Sequence, residues 1–128
     1  MLYSDLTKVI IKCFYNVYNP LGYGFLEKVY ENALGIELKK AGFGIDKQKN
    51  IRVYYLGYEV GDYYADIIVN DIIILELKTA EALCDEHKEQ LINYLKATNK
   101  EIGLLLNFGK KPEFKRIIFT NDRKNFNP

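Results

Sequence analysis

Apolar residues in the first segment, Leu6, Val9, Ile10, Cys13, Phe14 and Val17, recur at the i, i+3, i+4, i+7 spacing of one helical face. Ser4 is placed to cap that helix. Asn19-Pro20-Leu21-Gly22 should end it, because the residue before a proline is driven out of the helical region. A second helix is expected over 25–40, with Leu26, Val29, Tyr30, Ala33, Leu34 and Leu38 on its apolar face and Gly42 as its stop. The period then drops to two. Strands are expected over 45–56, 58–69 and 72–79, with turns at Gly57 and at Asn70-Asp71. A third helix should span 82–98, and the nearly all-apolar stretch 102–108 suits a strand buried on both faces. A last, edge-like strand is expected over 115–120, followed by a solvated tail at Asp122-Arg123-Lys124-Asn125.

The order is therefore helix, helix, three strands, helix, two strands. The strand–helix–strand unit over 72–108 should be a right-handed crossover joining two parallel strands. This is a single α/β domain over residues 1–128, with helices packed on a mixed sheet.

Composition narrows the class. With 48% hydrophobic and 27% charged residues the chain is globular in character. Runs such as Ile72-Ile73-Ile74-Leu75 fall far below the roughly 18–20 residues that cross a bilayer, so no membrane association is expected. The start of the chain lacks a basic–apolar–small cleavage pattern, and Cys13 and Cys84 have no CxxC partner. They read as reduced, packed thiols, and the chain as cytoplasmic. Net charge is only +1, but it is unevenly spread: +3 over 1–58, −7 over 59–89 and +5 over 90–128. Carboxylates concentrated between basic flanks suit a site that meets phosphate, although helix surfaces also vary in charge for no such reason.

The chemistry starts at Ile72-Ile73-Ile74-Leu75-Glu76-Leu77-Lys78. Glu76 and Lys78 share one face of a strand and interrupt one of the most apolar stretches of the chain. Such charges cost several kcal/mol unless paired, hydrogen-bonded or bound to metal. Asp66 lies across the hairpin. A strict two-residue turn at Asn70-Asp71 would pair residue 66 with residue 75 and send Asp66 and Glu76 to opposite faces. A three-residue loop or a bulge instead brings them level, about 5 Å apart, where both can reach one Mg²⁺. Any sheet with one wet face can also produce an Asp…Glu-x-Lys pattern.

Two further motifs bear on this reading. In Gly24-Phe25-Leu26-Glu27-Lys28-Val29-Tyr30, Glu27 and Tyr30 neighbour each other on one helical face. Glu27 either serves the helix dipole or points to the sheet as a further metal ligand. On the third helix Gln90 and Tyr94 share a face, as a polar edge or as the wall of a site. His87 is the only histidine, which excludes a multi-histidine zinc site; near Glu86 and Glu89 it reads as surface or site rim. No Walker loop or dinucleotide fingerprint is present. The eleven tyrosines read mostly as strand and core material, with stacking on bases the second and lesser reading for a few such as Tyr54, Tyr55, Tyr63 and Tyr64.

The stretch Gly24 to Tyr30 matches the signature of the GxxExxY family. Ala65-Asp66, Glu76-Leu77-Lys78, Gln90 to Leu95 and Gly103-Leu104-Leu105-Leu106-Asn107-Phe108-Gly109 resemble the same family in the same order, from about residue 5 to residue 120. That family is placed in the PD-(D/E)XK nuclease superfamily, with Ala65 here in place of the proline. The resemblance implies a restriction-endonuclease-like core and a metal-dependent nuclease using Mg²⁺ or Mn²⁺. It implies Asp66, Glu76 and the carbonyl of Leu77 as metal ligands, with Glu27 approaching directly or through water. Lys78 would be the catalytic lysine, and Gln90 and Tyr94 would line the site. The implied partner is nucleic acid, DNA ahead of RNA. Lys39, Lys40, Lys47, Lys49 and Arg52 on one side, and Lys110, Lys111, Lys115 and Arg116 on the other, could hold its backbone. A homodimer would suit a junction resolvase, and a binding module on the same fold is the non-enzymatic alternative.

Overall fold

The computed structural model describes residues 2–124. Helix α1 (Ser4–Leu21) and helix α2 (Glu27–Lys40) precede strands β1 (Ile45–Tyr55), β2 (Tyr58–Val69) and β3 (Ile73–Lys78); helix α3 (Asp85–Lys96), strands β4 (Ile102–Phe108) and β5 (Pro112–Ile118), and a short 3₁₀ turn (Asn121–Arg123) follow. The five strands form one sheet in the order β1-β2-β3-β4-β5. β3 and β4 are parallel, joined through α3, and the other neighbours are antiparallel. Among the described residues no helix is long and apolar enough to cross a membrane.

The sheet has an apolar layer on each face. Ile10, Phe14 and Val17 of α1 and Tyr30, Leu34 and Leu38 of α2 pack against Ile67, Leu75, Leu77, Leu104 and Leu106. Leu91, Tyr94 and Leu95 of α3 pack against Ile68, Ile74 and Leu105 on the other face. β4 is covered on both sides and buried along its whole length, with Asn107 its one polar side chain.

Several elements depart from the periodicity. Tyr3, in the left-handed region at φ 51°, precedes α1; Ser4 is the first helical residue and makes no cap. Pro20 sits inside the last turn of α1, where its missing N–H forfeits a single helical bond, and Gly22 N–H closes the helix on Tyr18 O at 2.7 Å. Leu26 and Val29 are exposed, because α2 begins only at Glu27 and its buried stripe runs through Tyr30, Glu31, Leu34, Gly35 and Leu38. α3 starts at Asp85, where the N–H of Cys84 donates to His87 Nδ1 at 3.3 Å, so His87 serves the start of the helix. β5 begins at Pro112, a proline tolerated as the first residue of an edge strand.

Both cysteines are free; Cys13 is buried, but Cys84 is exposed rather than packed. The tail is not simply solvated: Arg123 lies over the Phe119 ring at 4.5 Å, and Lys124 Nζ donates to Thr98 O at 3.0 Å. Asn125 falls outside the described residues. Arg116 donates to the carbonyl of Leu2.

Candidate functional site

The β2–β3 hairpin pairs Ile67 with Leu75, Ile68 with Ile74 and Val69 with Ile73. The connection is thus the three-residue loop Asn70-Asp71-Ile72, and Asn70 (φ 52°) and Asp71 (φ 57°) adopt the left-handed backbone it needs. Carried one residue further, this register sets Asp66 level with Glu76. At that point carboxylates bridge the two strands. The Asp66 N–H donates to Glu76 Oε1 at 3.1 Å, and the Leu77 N–H donates to Asp66 Oδ2 at 2.8 Å. Each acid is thereby fixed by a main-chain donor of the opposite strand.

Lys78 leaves the same strand two residues on. Its Nζ donates to Gln90 Oε1 at 3.0 Å, and Gln90 Nε2 donates to Tyr94 Oη at 3.1 Å. One turn of α3 therefore supplies a relay from the lysine to the buried phenol. The next segment is anchored by Asn107, fully buried in β4. Its side-chain amide accepts from Ala80 N–H and donates to Ala80 O, both at 2.9 Å.

α2 approaches from the other face. Tyr30, fully buried, stacks on Phe108 at 4.3 Å between centroids and donates its hydroxyl to Gly22 O at 2.7 Å. It also accepts from Phe25 N–H at 3.2 Å. The loop between α1 and α2 is thus tied down, with Gly24 at φ 109°, a conformation side chains resist. The glycine and tyrosine of the Gly24-to-Tyr30 motif act in architecture, and Glu27 is left at the first turn facing the site.

Two participants escaped the sequence reading. Glu31 is buried, held by Lys28 at 2.8 Å and by Gln48 Nε2 at 2.6 Å. Gln48, itself left-handed at φ 53°, also reaches Asp66 Oδ1 at 3.4 Å, so it ties Asp66 to α2. The available signal was Glu27, Glu31 and Gly35 at four-residue spacing: two like charges on one helical face, normally unfavourable, followed by a residue with no side chain. At Gly35 the Lys47 side chain passes 2.8 Å from where a Cβ would stand, so β1 can lie close against α2.

The electrostatics follow from this crowding. Burial, then the charge of Asp66, pushes Glu76 from 4.5 up to about 8, with Lys78 pulling the other way. Asp66 is raised by burial against the N–H of Leu77. Glu27 is exposed as a residue, yet partial shielding of its carboxyl and then Asp66 raise it too. Tyr94 is pushed up to about 12 by burial and by both acids, so it stays a neutral phenol. Asp66 and Glu76 are joined through the main chain of β2 and β3, and Lys78, Gln90 and Tyr94 form a separate hydrogen-bonded chain beside them; the two groups, and Glu27, couple to one another through charge. Among the described residues no group of three or more Asp, Glu, His or Cys side chains forms a metal cage by itself. The donor chemistry still fits a hard divalent cation that keeps much of its water and takes one or two carboxylates, because Asp66 and Glu76 are anchored side by side and a cation would favour the ionised form that burial opposes.

A PD-(D/E)XK nuclease superfamily model matches residues 4–117. The chain belongs to that superfamily. Its fold is similar to that in the crystal structure of SSO0001, with a TM-score of 0.59 at 21% identity over 94% of this chain and 61% of that one. The chain therefore spans less than two thirds of that protein's length, and likeness at this identity speaks for the fold. No curated protein sequence matches the chain. Asp66 and the Glu76-Leu77-Lys78 run lie within the matched span, on two neighbouring strands that bring Asp66 and Glu76 together.

Proposed function

We propose that this domain is a metal-dependent nuclease that hydrolyses phosphodiester bonds in nucleic acid, DNA ahead of RNA. The observation that carries the reading is the reciprocal anchoring of Asp66 and Glu76 on each other's strands beside Lys78. Asp66, Glu76 and the Leu77 carbonyl would hold Mg²⁺ or Mn²⁺, with Glu27 reaching it directly or through water. When bound, such an ion polarises the phosphate and lowers the pKa of water. The chain's own residues do the rest. Main-chain donors hold the two acids in place before any ligand arrives. Lys78 orients the attacking water and neutralises charge developing on the phosphoryl oxygens. Gln90 fixes the ammonium, and Tyr94 closes the wall without adding charge.

Cleavage of labelled DNA in Mg²⁺ by wild type and Lys78→Ala tests this. Loss of a charge-stabilising donor should slow turnover by about 10²–10³-fold; equal rates would refute the role of Lys78. A second reading, a nucleic-acid-binding module without turnover, draws on the lack of a three-group acidic cage among the described residues. Its signature is binding in Mg²⁺ without cleavage, unchanged by Glu76→Gln.

A further inference from the structure

Many of the tyrosines read as strand and core material lie outside the core: Tyr3, Tyr23, Tyr54, Tyr55, Tyr58, Tyr63 and Tyr64 are all exposed. Five of these lie on the β1–β2 hairpin, whose far end carries few buried residues. Between that hairpin and α3 lies a cavity of about 770 Å³. Tyr54 and Tyr63 line one wall, Asn93 the other, and Gln90 and Tyr94 are shared with the candidate active site. Tyr63 and Tyr94 rings stand 5.8 Å apart, so the aromatic wall runs directly into the Lys78–Gln90–Tyr94 relay.

Two features define the occupant. The size lies within the ~300–1,000 Å³ that encloses a molecule of drug size; a nucleoside or two would fit, and the cross-section of a duplex would not. The charge is balanced, Arg52 and Lys96 against Glu86 and Glu89. A trough for phosphate would be cationic. A half-apolar recess with amide edges at Gln90 and Asn93 instead suits the faces and edges of neutral bases.

We propose that this groove seats unpaired bases next to the scissile phosphate, stacked on Tyr54 and Tyr63, so that the enzyme takes single-stranded or frayed nucleic acid. The proposal rests on the nuclease reading for its direction, and its test does not depend on cleavage. Fluorescein-labelled oligothymidylate and a hairpin duplex would be titrated with the protein in EDTA, where hydrolysis cannot intrude. Tighter binding of the single strand is expected, weakened by about 5- to 100-fold in Tyr63→Ala and Tyr54→Ala and retained in Tyr63→Phe, which keeps the ring.

Equal binding of both probes, or alanine variants that bind as wild type does, would overturn it. So would gel filtration showing a dimer that Tyr63→Ala dissolves, since the aromatic wall would then be a subunit contact. Absence of cleavage in Mg²⁺ with this tyrosine-dependent binding intact would count against the nuclease reading alone.

Discussion

Replacing Glu76 by glutamine should stabilise the metal-free protein while destroying its capacity to hold metal. Glu76 is 4% exposed, and its carboxyl titrates near 8 in the folded chain against an ordinary 4.5. The unfolded chain therefore loses this proton near pH 4.5 while the folded chain retains it to about pH 8. Between those values the folded state binds more protons, so stability falls as pH rises through the window. The full gap corresponds to a penalty on the order of 3–5 kcal/mol above pH 8. Asp66 is raised in the same direction and adds to the slope.

Glu76→Gln removes the ionisable group but keeps an amide oxygen to accept from the Asp66 N–H. Urea unfolding in EDTA between pH 5 and pH 9 should show wild-type stability declining and the variant declining less, with only the contributions of the other raised acids, Asp66 and Glu27, left. The variant should be the more stable protein by a few kcal/mol at the alkaline end. Saturating Mg²⁺ should restore wild type and leave the variant unmoved, because a ligand of the folded state stabilises in proportion to its binding. A wild-type profile that is flat or rises with pH, or a variant less stable at pH 9, would refute the reasoning.

Three other outcomes can be checked. Tyr30→Phe leaves the stack on Phe108 but strips the hydroxyl from Gly22 O and Phe25 N–H, so chemical denaturation should show a loss of about 1–3 kcal/mol. Asn107→Ala leaves the main chain of Ala80 without both its partners, and a loss of about 2–4 kcal/mol with reduced thermal stability is expected. Gln48→Ala frees Asp66 from its tie to Glu31 and removes a donor from that buried carboxylate, so calorimetry should find Mg²⁺ affinity several-fold weaker and chemical denaturation a stability loss of about 1–3 kcal/mol.

The sheet was legible because its constraints are local. β2 and β4 occupy 58–69 and 102–108, where alternation and continuous apolarity placed them. The parallel β3–β4 pair follows from the crossover that one helix between two strands requires. The three-residue hairpin loop could be argued from the demand that Asp66 and Glu76 share a face, and it is the register found. Glu31 and Gln48 were not legible, because their roles depend on β1 lying close to α2, which no one-dimensional pattern encodes. Leu26 and Val29 misled for a related reason: the α1–α2 loop extends to Leu26, and Tyr30 rather than the earlier apolar residues fixes the helix to the sheet. Tyr54, Tyr55, Tyr58, Tyr63 and Tyr64 do lie on strands, but their exposure was not legible, because strand propensity is silent on whether anything covers the strand.

The central claim is that Asp66 and Glu76, with the Leu77 carbonyl, form a seat for a divalent cation. Crystals soaked in Mn²⁺ and measured at the manganese absorption edge test it most directly. An anomalous peak bonded to both carboxylates, about 2.0–2.3 Å from their oxygens, is the expected result. Ordered Asp66 and Glu76 side chains still hydrogen-bonded to the opposing main chain, with no peak between them at saturating Mn²⁺, would contradict the account.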